Sequence, residues 1–254
     1  MVDPFDLATR AASFAKRADR YAAVRPSYPD DAVAWLLPGS PQQILDLAAG
    51  TGKLTQALVR HYAAANAPTI IAVEPAEPML AQLTKLLPEV SALVGTAEHI
   101  PLPDNTVDAV VCGQAWHWFN EAAAGIEIAR VLRPGGTVGV VWNDRDDTVD
   151  WVRQFDQIIH RGDILEPKTK HVAPKFGAQF STVEHAVFRW LDTIPVTDLR
   201  PLAASRSYLL MLPNAERDRI LADIDQLIAT HPDLTGRDHI TLPYITNAYR
   251  VRRK

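Results

Sequence analysis

The stretch Ile44–Thr55 reads ILDLAAGTGKLT, an apolar run that ends in an acid and gives way to small residues. Small side chains let a ligand come close to the backbone, and glycine reaches positive φ without strain. If a helix starts just beyond, its unpaired N–H groups can hold an anion. Lys53 invites comparison with a phosphate loop, but Leu47 stands where that motif needs its first glycine. Leu54 stands where it needs a magnesium-holding Ser or Thr. A dinucleotide-binding turn finds Gly50 and Gly52 in place but Thr55 at its third glycine. A second chemical stretch is QAWHWF (Gln114–Phe119), where Trp116 and Trp118 flank His117. An imidazole titrates near neutrality, so His117 is a candidate base for a substrate hydroxyl. It is equally a candidate helix cap or cofactor partner.

The elements that carry these stretches alternate. QILDLA (Gln43–Ala48), TIIAVEP (Thr69–Pro75), SALVG, TVDAVVCG (Thr106–Gly113) and TVGVVWN (Thr137–Asn143) read as buried strands. Between them, KLTQALVRHYAAA and PMLAQLTKLL have helical apolar spacing, and EAAAGIEIARVL reads as a helix ended by RPGG. Such alternation implies parallel strands joined by helical crossovers, with ligands beyond the strands' carboxyl ends. Beyond residue 160 the pattern changes to a long strand, FSTVEHAVFRWLDTIP, a helix, PNAERDRILADIDQLIAT, and a final strand, HITLPYITNAYRVRR. Before the sheet, the spacing suggests two helices joined by a Pro-rich connector at Arg25–Pro29.

Asp46-Leu47-Ala48-Ala49-Gly50-Thr51-Gly52 resembles motif I of the class I S-adenosylmethionine (SAM)-dependent methyltransferases, with Ala48 where the first glycine is usual. Glu74 in AVEP, the span GTAEHIPLPDNTVDAVVCGQAWHWF and RVLRPGG (Arg130–Gly136) match later family motifs in order. YAAVRPSYP, SRSY and PYITNAYR are further similar to the trans-aconitate-methyltransferase-like group. The resemblance implies a single α/β domain over residues 1–254. Its sheet is Rossmann-like, seven-stranded and mostly parallel, in the order 3-2-1-4-5-7-6 with the last strand antiparallel and helices on both faces. Residues 1–40 would form a helical lid, 42–145 the SAM-binding core and 146–254 the substrate side.

The same resemblance assigns roles. Asp46 helps hold the methionine ammonium, Ala48, Gly50 and Gly52 form the turn, and Glu74 takes the ribose hydroxyls. Pro75 and Met79 cover the adenine, Ala97 and Glu98 meet its ring and amino group, and Gln114 lines the methionine end. Tyr21 and Arg25 are lid candidates against the methionine carboxylate. Tyr28, Trp116, Trp118, Trp142, Asn143, Arg145, Arg206, Tyr208 and Tyr244 are substrate-side candidates, and Arg145 is equally suited to pairing with a nearby acid.

Composition sets bounds. A net charge of −4 gives no overall attraction to nucleic acid or anionic membrane. The single cysteine, Cys112, excludes an intrachain disulfide and a Cys-rich metal site, and fits a reducing, cytoplasmic setting. No apolar stretch approaches membrane-spanning length. The expected function is methyl transfer from SAM to a small molecule, at a carboxylate or hydroxyl oxygen. N-, C- or S-methylation, an NAD(P)-dependent oxidoreductase and a non-catalytic SAM-binding protein are the rivals. No metal is expected, and the oligomeric state is not encoded in any motif.

Overall fold

A computed structural model of the chain describes residues 25–63, 67–163 and 173–254. Tyr21 and the first expected N-terminal helix lie outside the described residues. Seven strands form one sheet in the order β3-β2-β1-β4-β5-β7-β6, with one antiparallel strand, as expected. In chain order the elements are α1 (Asp30–Leu36), β1 (Gln43–Leu47), α2 (Lys53–His61), β2 (Thr69–Glu74), α3 (Glu77–Leu86), β3 (Ser91–Val94) and β4 (Val107–Gly113). A 3₁₀ turn, Trp116–Trp118, precedes α4 (Glu121–Val131) and β5 (Leu132–Arg145). The remainder comprises α5 (Asp150–Ile159), β6 (Glu184–Pro195), a second 3₁₀ turn (Val196–Asp198), α6 (Leu199–Ala204), α7 (Ser207–Met211), α8 (Asn214–Thr230) and β7 (His239–Arg252).

β1 pairs in parallel with β2 and β4, so the strand that leads into the small-residue turn is central. Both of its faces are covered, which explains why QILDL is an apolar run rather than an alternation. β2 to β3 and β4 to β5 are also parallel. The helical spacing holds where it places Leu54, Ala57 and Leu58 of α2 inside, while Tyr62 falls just past the helix end. α8 buries Ile220, Leu221, Ile224 and Leu227 as its period requires.

One boundary differs from expectation. α4 stops at Val131 and β5 begins at once, so RPGG lies within the strand rather than ending the helix. Gly135, at φ 76°, permits the irregular start, and a register shift falls between Val107 and Ala109 of the partner strand. The final strand, β7, lies inside the sheet, which leaves β3 and β6 as edges.

The chain divides into two compact units. The larger comprises Ser27–Asn143, Ala173–Phe188 and Thr246–Lys254, and the smaller comprises Met1–Pro26, Asp144–Val172 and Arg189–Ile245. In the larger unit, apolar residues of the strands pack into two clusters. One contains Leu45, Leu47, Val110, Cys112 and Trp116, and the other contains Tyr28, Leu36, Ile44, Leu54 and Leu83. The smaller unit has its own core around Trp151, Phe155, Leu202, Leu209, Ile224 and Tyr244. Among the described residues no helix is long and apolar enough to cross a membrane.

Candidate active site

In the larger unit, the loops that follow β1, β3 and β4 are each tied to a neighbouring strand by a backbone hydrogen bond. Ala49 N–H donates to the Val73 carbonyl at 3.1 Å, and Gly95 N–H to that of Glu74 at 3.4 Å. Gln114 N–H donates to the Val141 carbonyl at 2.9 Å. The motif I turn is left-handed at three alternate residues, Ala48 (φ 56°), Gly50 (φ 57°) and Gly52 (φ 86°). A side chain on Gly52 would come within 2.9 Å of Leu83 Cγ, so that glycine is fixed by space as well as by φ. Met79 Cε lies 3.4 Å from where a Cβ on Gly50 would be, which places Met79 beside the turn. Pro75 is exposed.

Ala48 therefore does not occupy an ordinary backbone region. An L-residue with φ near +56° bears a steric cost that glycine would not. The one sign of it in the sequence is the resemblance, in which this position is usually glycine.

Two buried acids define the electrostatics. Glu74 is nearly inaccessible, and its two oxygens accept Gly50 N–H at 2.9 Å and Ala76 N–H at 3.0 Å. Burial raises its pKa, and those two hydrogen bonds pull it back. Each oxygen keeps a further lone pair for a diol hydroxyl. Asp46 is fully buried, and its Oδ2 accepts the Thr55 hydroxyl at 2.6 Å. Desolvation pushes its pKa up to about 7, opposed by the Thr55 hydrogen bond and reinforced by the charge of Glu74. Asp46 Oδ1 has no hydrogen-bond partner among the described residues, and neither does the buried Thr51 hydroxyl. Thr55, which reads in the sequence as a missing glycine, is thus the residue that holds the motif I acid.

The adenine-side candidates sit on a turn closed by Thr96 N–H to the His99 carbonyl at 3.3 Å and the reverse bond at 3.2 Å. Ala97 is buried there. Glu98 uses Oε1 to accept Asn120 N–H at 2.8 Å, so it also caps the approach to α4.

QAWHWF divides by role. Trp116 is core: its ring packs on Phe176 and Phe119, and its indole N–H donates to Glu121 at 2.8 Å. Gln114 has φ 60° and donates through Nε2 to the Asn143 carbonyl at 3.0 Å. Half-buried Trp118 lies against His117, with ring centroids 4.5 Å apart. Trp142 donates its indole N–H to His117 Nδ1 at 3.5 Å. An indole N–H only donates, so Nδ1 is the acceptor in this long contact. Asn143 is a brace: its amide donates to the Ser27 carbonyl at 2.8 Å and accepts the Thr246 hydroxyl at 2.6 Å. Tyr28 is buried, and its hydroxyl lies 2.5 Å from where a Cβ on Gly113 would stand.

The smaller unit contains the remaining candidates. Arg25 donates to the Ser205 carbonyl at 2.8 Å, and Arg206 bonds His160 Nε2 at 2.9 Å. Arg145 pairs with Asp156 and lies over the Phe155 ring. Tyr208 donates to the Arg161 carbonyl at 3.1 Å. Tyr244 is buried and stacked on Trp190, with centroids 5.0 Å apart and planes 19° from parallel. Burial raises its pKa, while the charges of Arg145, Arg25 and Arg206 lower it and that of Asp192 raises it.

Comparison with known proteins agrees with this geometry. The family described as "Methyltransferase domain" matches residues 45–140. An uncharacterized methyltransferase of Mycobacterium bovis is 44% identical over 240 residues, covering 94% of this chain and 95% of that protein. An uncharacterized methyltransferase of Schizosaccharomyces pombe is 35% identical over 237 residues, covering 90% and 92%. A solved structure described as a type II methyltransferase from Anaeromyxobacter dehalogenans superposes with a TM-score of 0.61 at 21% identity, covering 91% of this chain and 98% of that one. The phosphoethanolamine N-methyltransferase 2 of Haemonchus contortus, solved with S-adenosylhomocysteine, has a TM-score of 0.54 at 15% identity, covering 100% of this chain and 60% of that one. The left-handed turn, the two buried acids and the unmatched oxygens of Asp46 and Thr51 fit SAM, and the chain belongs to the class I SAM-dependent methyltransferases.

Proposed function

We propose that the chain methylates a small-molecule acceptor at oxygen, with a carboxylate as the preferred group. When bound, SAM supplies a methyl group on a cationic sulfur that is already activated for in-line displacement, so the chain's task is alignment and exclusion of water. Glu74 would hold the ribose, Asp46 the ammonium, and Met79 would cover the turn beside Gly50. Gln114, braced by Asn143, would line the methionine end.

The observation that carries the carboxylate reading is the placement of His117: its Nδ1 faces the indole N–H of Trp142, so that nitrogen is not directed at a substrate hydroxyl as a base. A carboxylate acceptor, already ionised at neutral pH, needs no base. A hydroxyl acceptor would need a base instead.

The test is incubation with methyl-labelled SAM and matched panels of small carboxylic acids, phenols and amines. Label should enter the acids and be released as methanol by mild alkali, as an ester requires. Alkali-stable label confined to amines would refute oxygen as the acceptor, and label in phenols alone would restore the need for a base.

A further inference from the structure

We propose that Arg130, paired with Glu127, is the positioning residue for adenine recognition, holding residues 100–104 from outside the cofactor site. The inference rests on the reading of Ala97 and Glu98 as the adenine contacts.

A guanidinium has five N–H donors in a planar fork. Those of Arg130 make five bonds within the protein. Nε donates to Glu127 Oε1 at 2.9 Å, and Nη1 to the Leu102 carbonyl at 2.7 Å and Asp104 Oδ1 at 2.9 Å. Nη2 donates to the Ile100 carbonyl at 2.9 Å and Glu127 Oε2 at 2.8 Å. Glu127 Oε2 also accepts Ile100 N–H at 3.1 Å, so the pair takes both backbone polar groups of Ile100. The Arg130 carbonyl accepts Asn105 N–H at 2.9 Å. With every donor engaged, Arg130 acts through the loop.

The arrangement explains how the long connection between β3 and β4, residues 95–106, keeps one shape. Loops lack a ladder to satisfy their backbone groups, and each left unpaired favours other conformers. Here the turn at residues 96–99 is suspended between two points on α4. Glu98 reaches Asn120 at the helix start, and Ile100 and Leu102 are held by Glu127 and Arg130 near its end. Ala97, buried in this turn, lies between Thr96, bonded to His99, and Glu98, bonded to Asn120. A lysine at residue 130 would keep the charge but not the fork.

Calorimetric titration with S-adenosylhomocysteine and with its inosine analogue, which lacks the adenine amino group, tests the clamp. Wild-type chain should prefer the adenine ligand by about tenfold or more, the scale of one hydrogen bond to a charged group. Arg130→Gln should weaken the adenine ligand by about tenfold and the inosine ligand by less than about threefold, so the preference collapses. Arg130→Lys should recover part of it. Amide exchange should quicken at Ile100 while β1 and β4 stay protected, which separates a loosened loop from an unfolded chain. An undiminished preference in Arg130→Gln, with Ile100 exchange quickened, would overturn the proposal. A wild-type chain with no preference would overturn its premise, the adenine reading of Ala97 and Glu98.

Discussion

Asp46 offers the sharpest test of the site, because its burial makes cofactor binding and folding depend on the same proton. Its carboxyl titrates near 7 in the folded chain, against 3.8 for an ordinary aspartate, chiefly because no solvent reaches it. The folded state keeps the proton up to about pH 7, whereas the unfolded chain releases it near 4. Stability therefore falls as pH rises across that window and levels off above it. A displacement of about three pH units corresponds to about 4 kcal/mol, an upper bound since local relaxation weakens desolvation. Asp46→Asn keeps an acceptor for the Thr55 hydroxyl and removes the charge. It should raise the melting temperature modestly at pH 5, where the unfolded chain has already lost the proton, and by roughly 5 °C more at pH 8.

Ligand binding should show the opposite sign. An ammonium beside Asp46 favours the ionised form, so binding to the protonated site expels a proton. S-adenosylhomocysteine should bind about tenfold more tightly at pH 8 than at pH 6, with about half a proton released at pH 7. Calorimetry in buffers of different ionisation enthalpy reads that proton directly. Asp46→Asn should bind more weakly and lose the pH dependence. Wild-type affinity that is flat from pH 6 to 8, with heats independent of buffer, would refute both the buried acid's raised pKa and its contact with the ammonium.

Three further expectations follow from the same geometry. At Ala48, left-handed strain and packing make opposite predictions: Ala48→Gly should stay within about 0.5 kcal/mol of wild type, since relief of strain offsets glycine's chain entropy and the lost methyl. Ala48→Val should lose more than about 2 kcal/mol in denaturant unfolding, whereas burial alone would make valine the more stable. Glu74→Gln replaces one of two charged acceptors and should weaken S-adenosylhomocysteine by about 2–3 kcal/mol, roughly a hundredfold, in titration calorimetry. His117→Gln should preserve cofactor affinity and cost less than about 10²-fold in turnover of a carboxylate acceptor, a larger loss marking a base.

Much of this molecule was legible in the chain itself. Alternating apolar runs and amphipathic stretches point to an open, mostly parallel sheet, and the resemblance to a known family supplies its strand order. Asp46, Gly50, Gly52 and Glu74 stand out because a backbone turn and a strand-end acid need particular residue types. Contacts between distant segments leave no such mark. Trp116 and Tyr28 look like ligand aromatics, yet tertiary packing makes them core. Thr55 looks like a missing glycine until Asp46 is seen against it, and Arg130 looks like part of a turn motif until its five bonds are traced. The alanine's left-handed φ at residue 48 and the Trp142 contact of His117 are seen only in the folded chain, because both depend on neighbours that folding brings together. Residue type and period decided which segments form strands and helices, and three-dimensional packing decided which of the candidate side chains are taken up in the core.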